Sequence, residues 1–295
     1  MTQASLPALV AEELALPVDP RVTAMAEAVA ALYPGAARAV LFYGSCLREK
    51  ELDGLMLDFY LVVSTYREAY GRGWYAFANR LVPPNVFPFE HEGLAAKYAV
   101  LSEADFAREN GPEAGTVSVW ARFAQPSRLV WAKDEDARAM AVAAVGRAAP
   151  TLFGFALPML DEAEKGDPLA VWRRGFELTY DSELRAERKG KSVSIVDTDP
   201  ERYRRFGDAA LPLARPLDAE KARKRWRRFR RKGKAMSIVR LAKATTTFAG
   251  GVDYLAWKIN RHSGAGIVVK PWQRRWPILG ALTLLPRLLR RGAIR

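Results

Sequence analysis

Two short apolar runs lie close together early in the chain, Ala39 to Tyr43 and Leu55 to Val63, joined by a Gly44-Ser45 turn and a polar connection carrying Arg48, Glu49, Lys50, Glu51 and Asp53. Each has strand length and is rich in β-branched or aromatic residues, which predicts two neighbouring strands of a buried sheet. Before them, the Ala-rich stretch from Arg21 to Leu32 reads as a helix stopped by Pro34-Gly35. After them, Tyr66 to Arg80 has a helical pattern that Gly71 and Gly73 weaken and Pro83-Pro84 ends. Asn85 to Glu90 and Leu94 to Leu101 read as a hairpin or two short strands, and Ser102 with Asp105 begins a helix by the capping pattern. Val117 to Leu160 is mostly helical, with one strand at Ser127 to Trp131. Helices are predicted again over Ala170 to Arg188 and Asp199 to Phe206, with a loop from Lys189 to Pro200 between them and a linker at Ala214 to Leu217. Beyond a basic run, Ala235 to Phe248 is amphipathic, Gly250-Gly251 is a hinge or close-packing point, and Val252 to Asn260 is a further helix.

Composition narrows the chemistry. A chain of 295 residues that is 49% hydrophobic can bury a sizeable core in one or two domains. The single Cys46 excludes a disulfide framework or a cysteine-rich zinc site, and His91 and His262 alone make a histidine-based centre or triad improbable. The first residues, MTQASLPALVAEELALP, lack the basic region of a signal peptide, so a reducing compartment is expected. The net charge of +13 is concentrated: ten of the fourteen residues from Lys221 to Lys234 are basic, and no acidic side chain follows Asp253. Such a cationic C-terminal third points to a polyanion, either nucleic acid or an anionic membrane. The ending, VVKPWQRRWPILGALTLLPRLLRRGAIR, has an apolar part too short to cross a bilayer. With Trp272 and Trp276 beside arginines, it has the make-up of a segment lying in the membrane interface or of an amphipathic helix docked on the protein's own core.

Candidate chemistry gathers at the two first strands. A glycine closing a strand lets backbone approach a ligand, and its neighbourhood with the Ser45 hydroxyl can hold a phosphate. Asp58 interrupts the second apolar run, where a carboxylate is costly unless it is paired or binds a cation such as Mg²⁺. Glycine-serine, a loop, then an acid on the next strand resembles the nucleotidyltransferase, polymerase-β-like superfold, whose usual Asp-x-Asp is reduced here to Met56 and Asp58. The plainer alternative is an ordinary turn and a capped strand end. Lys97, inside the later strand KYAVLS, is either a snorkelling edge lysine or a neutraliser of triphosphate charge. Glu183 and Arg185 lie in a charged helix whose ordinary reading is a solvated face.

Taken together, several separated pieces resemble the mitochondrial-type phosphatidate cytidylyltransferases, also described as translocator assembly and maintenance proteins, and their bacterial relatives. The glycine-serine motif with its preceding tyrosine is similar to Tyr43-Gly44-Ser45, and the single Asp after an apolar residue to Leu57-Asp58. A Lys-Tyr-Gly-Val strand is similar to Lys97, Tyr98, Ala99 and Val100. An Ala-Gly-Arg-Leu-Gln-Lys-Pro segment resembles Trp120 to Pro126, keeping Arg122 and Pro126, and a Tyr-x-Gly-Asp-x-Arg piece resembles Tyr180 to Arg185, with Glu183 for Asp. The agreement runs from about Val40 to Trp257. The Trp-His and His-Tyr-Ser motifs are reduced to Trp74-Tyr75 and a shorter link, and the glycine of Lys-Tyr-Gly is Ala99.

The resemblance implies an α+β chain: a nucleotidyltransferase sheet with flanking helices (1–135), a helical domain (136–216) and a basic amphipathic, membrane-associating C-terminal region (217–295). It implies transfer of a cytidylyl group from CTP to phosphatidate, giving CDP-diacylglycerol and pyrophosphate, with Mg²⁺ as cofactor. Tyr43, Gly44, Ser45, Tyr98 and Arg122 would bind the nucleotide, Asp58, Lys97 and Glu183 would be catalytic, Asp58 and Glu183 would hold the metal, and Arg185 would bind the acceptor phosphate. Arg227, Arg228, Arg230, Arg231, Trp272 and Trp276 would face the membrane, at the cytoplasmic side of a bacterial inner membrane or the matrix side of the mitochondrial one. Nucleic acid is not expected as a partner, since only Trp226 and Phe229 interrupt the basic run as stacking surfaces. Two alternatives stay open: a nucleotidyltransferase acting on a soluble acceptor or RNA, and a non-catalytic peripheral membrane protein with a decayed nucleotide pocket.

Overall fold

The strands predicted from apolar runs all form. They are β1 (Ala37–Tyr43), β2 (Met56–Val63), β3 (Asn85–His91), β4 (Leu94–Ser102) and β5 (Ser127–Ala132). In the computed structural model, which describes residues 4–48, 51–71, 73–81, 83–182, 195–247 and 269–272, they make one mixed sheet in the order β3-β4-β2-β1-β5. β2 and β4 run parallel, and the other neighbours are antiparallel. The protein is therefore α+β, with a five-stranded mixed sheet and helices.

The helices among the described residues are α1 (Leu6–Leu14), α2 (Pro20–Ala31), α3 (Tyr66–Tyr70), α4 (Trp74–Leu81), α5 (Glu103–Asn110), α6 (Trp120–Phe123), α7 (Glu135–Gly146), α8 (Ala148–Ala156), α9 (Pro168–Tyr180), α10 (Pro200–Ala210) and α11 (Ala219–Thr247). The expected capping signal acts: Ser102 accepts the Asp105 N–H at 3.2 Å ahead of α5; Asp19 does the same ahead of α2, accepting the Arg21 N–H at 2.9 Å. Two expectations need correction. The helix over Tyr66 to Arg80 is two helices, because Gly71 takes φ +67° and turns the chain between α3 and α4. The helix of Ala170 to Arg188 begins at Pro168 and ends at Tyr180, capped by Asp181; Glu183 to Arg188 lie outside the described residues, as do Gly250-Gly251 and Val252 to Asn260. The basic run and the amphipathic stretch after it make one continuous helix, α11, as far as Thr247.

Strand alternation divides the core into two layers. Leu57, Phe59 and Leu61 of β2, with Val40 and Phe42 of β1 and Ala96, Tyr98 and Val100 of β4, pack against α2 residues Val22, Met25 and Val29. On the opposite face Leu41, Tyr60, Val62, Ala99 and Leu101 join the helices through Phe106, Trp120, Phe123, Phe153, Phe155, Trp172 and Trp226. The stretch Glu135–Met159 is long and apolar enough to cross a membrane by composition; 67% of its most apolar window is buried against the rest of the fold. α1 is tied in by a buried ion pair, Glu13 to Arg202 of α10, whose guanidinium also donates to the Ala124 carbonyl. Burial lowers the Arg202 guanidinium's hold on its proton, but the Glu13 hydrogen bond and charge outweigh it and keep the pKa raised.

Candidate functional site

Sheet register brings the candidate residues into one row. Tyr43 of β1 pairs with Asp58 of β2, and Asp58 pairs with Lys97 of β4. Residues directly opposite one another project from the same face, so Tyr43, Asp58 and Lys97 stand side by side on the helix-covered face. The Lys97 Nζ is 3.0 Å from the Asp58 Oδ1, with the two side chains 28% and 22% exposed. A carboxylate in an otherwise apolar strand is thus paired with a cation, one of the two ways in which its burial becomes tolerable.

Gly44 ends β1 immediately beside this pair. Its φ of +97° is open to glycine and costly for other residues. A Cβ built there would lie 3.5 Å from the Asp58 Oδ2, so the backbone passes directly over the carboxylate. Ser45, exposed, opens the one-turn helix Ser45–Arg48 that carries the chain away. The opposite wall comes from α6. The Arg122 guanidinium turns back to donate to the Ser118 carbonyl, and with Lys97 it lines a cavity of about 150 Å³ whose other walls include Tyr43, Tyr60, Val86 and Ser118. Tyr43 and Tyr60 of its wall pack with Phe123 in tilted and edge-on contacts, with ring centroids 5.2 to 5.9 Å apart.

Burial, and after it the nearby Asp58 carboxylate, push the Tyr43 phenol well above its ordinary range, against the opposing charge and hydrogen bond of Arg122. Tyr43 is therefore a neutral hydroxyl at physiological pH. Lys97 and Arg122 line this pocket and the Asp58 carboxylate offsets one of the two charges from beside it, which leaves a positive balance suited to an anion the size of a phosphate group.

Tyr98 is a correction. The strand alternates, so the residue after Lys97 faces the other way; Tyr98 is 5% exposed in the opposite layer, its hydroxyl 3.2 Å from that of Tyr33. Its role there is packing within a cluster of Tyr33, Phe87 and Phe89. Glu183, Arg185 and Trp276 lie outside the described residues. Tyr180 closes α9, and the Ser182 carbonyl just beyond it touches the backbone of Gly233 in α11.

Sequence reasoning missed Tyr60, Val86, Ser118 and Pro84, all of which line the cavity. Tyr60 stands two residues beyond Asp58 and shares its face by simple alternation. The others are brought in by register and by helix packing, for which the local sequence carries no signal.

The residues present fit Mg²⁺ in one way only. Among the described residues no group of three or more His, Cys, Asp or Glu could hold a metal ion. A single carboxylate is nevertheless a usual share for Mg²⁺ when substrate phosphates supply further ligands. The Asp58 Oδ2, beside Gly44, is the oxygen turned toward that approach.

The basic helix shows a clear division of labour. Ala222, Trp226, Phe229 and Gly233 form its buried stripe, and Trp226 donates its indole N–H to the Phe155 carbonyl at 2.9 Å. Arg225 is drawn inward to the Pro112 and Ala114 carbonyls, and burial lowers its pKa. Arg227, Arg228, Arg230 and Arg231 are exposed, as is Trp272 at 44%. The two aromatics of the basic run are thus buried, and neither offers a ring to a nucleic-acid base. Searches against protein-family models and against curated proteins find no match to this chain.

Proposed function

We propose that the protein is a nucleotidyltransferase of polymerase-β-like fold that transfers a cytidylyl group from CTP to phosphatidate at a membrane surface. One observation carries the reading: the Asp58–Lys97 pair, 3.0 Å apart, lies beside the Gly44 turn, and its Lys97 lines a phosphate-sized cavity together with Arg122. At about 150 Å³ the cavity is smaller than the roughly 300 Å³ and more of a whole-ligand site. It suits phosphate groups, with the nucleoside lying outside along Gly44 and Ser45.

In this reaction a phosphate oxygen of the acceptor attacks the α-phosphorus of CTP, the bond from that phosphorus to the bridging oxygen breaks, and pyrophosphate carries the electron pair away. Little covalent help is needed, so positioning and charge neutralisation do the work. Lys97 and Arg122 neutralise the polyphosphate, Gly44 allows close approach, and Ser45 offers a hydroxyl to it. Asp58 would hold Mg²⁺, which when bound supplies charge neutralisation across the phosphates. Glu183 and Arg185 are proposed as the second carboxylate and the acceptor-phosphate fork. The exposed arginines of α11, with Trp272 and Trp276, would hold the enzyme on anionic lipid, at the cytoplasmic face of a bacterial inner membrane or the matrix face of a mitochondrial one.

The burial of Trp226 and Phe229 speaks against an RNA acceptor. A non-catalytic membrane protein is the second reading, favoured by Met56 at the first acidic position and by the Lys97 ammonium against the Asp58 carboxylate. Pyrophosphate release from each of the four NTPs with Mg²⁺, with and without phosphatidate vesicles, decides between them. Release with CTP that needs both the vesicles and Asp58 supports the enzyme. Absence of release and of Mg·NTP binding supports the second reading.

A further inference from the structure

α4 has its apolar side outward. Trp74, Phe77 and Leu81 stand at i, i+3 and i+7 and are 66%, 59% and 67% exposed, with the Trp74 and Phe77 rings 5.8 Å apart. That spacing makes one helical stripe. Tyr75 adds a further 42% exposed ring. The inward side is polar at its centre: Asn79 is fully buried, donates to the Val100 carbonyl at 2.9 Å and accepts the Asn85 N–H. The helix is thus anchored to the sheet by an amide, leaving its large apolar side chains in solvent. Of the nine exposed large hydrophobic residues among those described, four belong to these eight positions. A concentration of this kind marks a contact surface, not the scatter of single apolar residues found on any protein.

Charge says which surface. α11 and α4 both pack against the edge strand β3, and the exposed side of α11 carries a hollow of about 370 Å³ lined, among the described residues, by Lys224, Arg227, Arg228, Arg231 and Lys232. An apolar helical stripe rich in Trp and Phe, on a chain whose α11 also presents a dense cationic face, is the combination that anionic bilayers bind. The chain leaving α4 also reaches the site at once, for Pro84 and Val86 line the phosphate cavity.

We propose that α4 inserts its Trp74–Phe77–Leu81 stripe into the interface of an anionic phospholipid bilayer and so sets the cavity at headgroup depth. The acceptor's acyl chains then stay in the bilayer beside α4 while its phosphate reaches the nucleotide phosphates held by Lys97 and Arg122. The docking stands on α4 and α11 alone; the acceptor's route rests on the lipid nucleotidyltransferase reading.

The test is sedimentation of the full chain with phosphatidylcholine vesicles, with and without phosphatidate, comparing wild type with the triple variant Trp74→Ala, Phe77→Ala, Leu81→Ala. Three half-exposed side chains leaving the interface should weaken vesicle binding on the order of a hundredfold. The thermal midpoint should be unchanged, since surface substitutions cost little stability. Brominated phosphatidylcholine in the vesicles should quench wild-type tryptophan fluorescence more than that of Trp74→Phe. Unchanged vesicle binding in the triple variant overturns the proposal. So does a large fall in its thermal midpoint, which would show the stripe covered by the chain itself. Loss of a wild-type dimer in sedimentation velocity, with vesicle binding intact, would identify a second copy as the occupant and overturn it too. CTP turnover on a short-chain soluble phosphatidate separates the two readings. Retained turnover with docking unaffected removes only the membrane helix, and docking lost in the variant of a protein without turnover removes only the enzyme.

Discussion

Replacing Asp58 by Asn tests which cation the carboxylate serves. Its Oδ1 is 3.0 Å from the Lys97 Nζ, and the two side chains are 22% and 28% exposed. Unit charges 4 Å apart attract by about 1 kcal/mol in water and about 4 kcal/mol at the effective dielectric near a protein surface. With a quarter of each group open to solvent, the pair is worth about 1 to 2 kcal/mol. The carboxylate withholds that much of the lysine's attraction from an incoming phosphate. Without divalent metal, Asp58→Asn should therefore raise the affinity for CTP, by about five- to thirtyfold. With Mg²⁺ present the sign reverses if the same carboxylate holds the metal as proposed, and affinity should fall by about tenfold or more. Titration calorimetry with CTP in EDTA and again in excess Mg²⁺ reads both numbers on one protein preparation. A fall of equal size in both buffers would refute the reasoning and reduce Asp58 to a structural partner of Lys97.

Four further outcomes follow from the same structure. Gly44→Ala should lower stability by about 1 to 3 kcal/mol in urea denaturation, through strain at φ +97°, since the added methyl would meet the Asp58 Oδ2 at an ordinary 3.5 Å; an unchanged midpoint would show that the turn adapts. Trp226→Ala should cost about 3 to 5 kcal/mol, with the ring 1% exposed among Trp120, Phe155 and Phe229. Arg228→Gln should leave stability within about 0.5 kcal/mol and weaken binding to anionic vesicles by about 1 kcal/mol. Tyr33, Tyr43, Tyr70 and Tyr98 all have pKa values raised chiefly by burial. The folded protein holds these protons more tightly than the unfolded chain, so stability should be insensitive to these groups below the free phenol value of about 10 and fall as pH rises above it. Urea titrations at a series of alkaline pH values check this, with the phenolate absorbance of these four buried groups expected to appear together with unfolding.

Local pattern carried much of the fold. The runs Ala39 to Tyr43 and Leu55 to Val63 became β1 and β2 because apolar, β-branched segments of that length have few other ways to bury themselves, and Asp19 and Ser102 marked helix starts through hydrogen bonds made within three residues. The position of Asp58 as an odd acid in an apolar strand was legible for the same reason. Even the failure at Tyr98 was readable, since strict alternation puts it on the face opposite Lys97. The mixed reading of α11 was legible in part: Ala222, Trp226, Phe229 and Gly233 recur at helical spacing within the basic run.

Tertiary structure alone decided who meets whom. Asp58 and Lys97 are separated by α3, α4 and β3 in the chain, and only the parallel pairing of β2 with β4 sets them opposite each other. Arg122 reaches the same cavity because Trp120, two residues earlier, is packed among Phe155, Trp226 and Phe229 and so fixes α6. Helical spacing likewise could not say whether the apolar stripe of α11 would lie on lipid or on protein; the aromatic pocket of α6 and α8 claimed it. The stripe of α4 met no such pocket, because the buried Asn79 amide holds the helix with its other side inward. Alternation and capping are set within a few residues, whereas register and packing depend on segments far apart in the chain, and the whole of the candidate site depends on these.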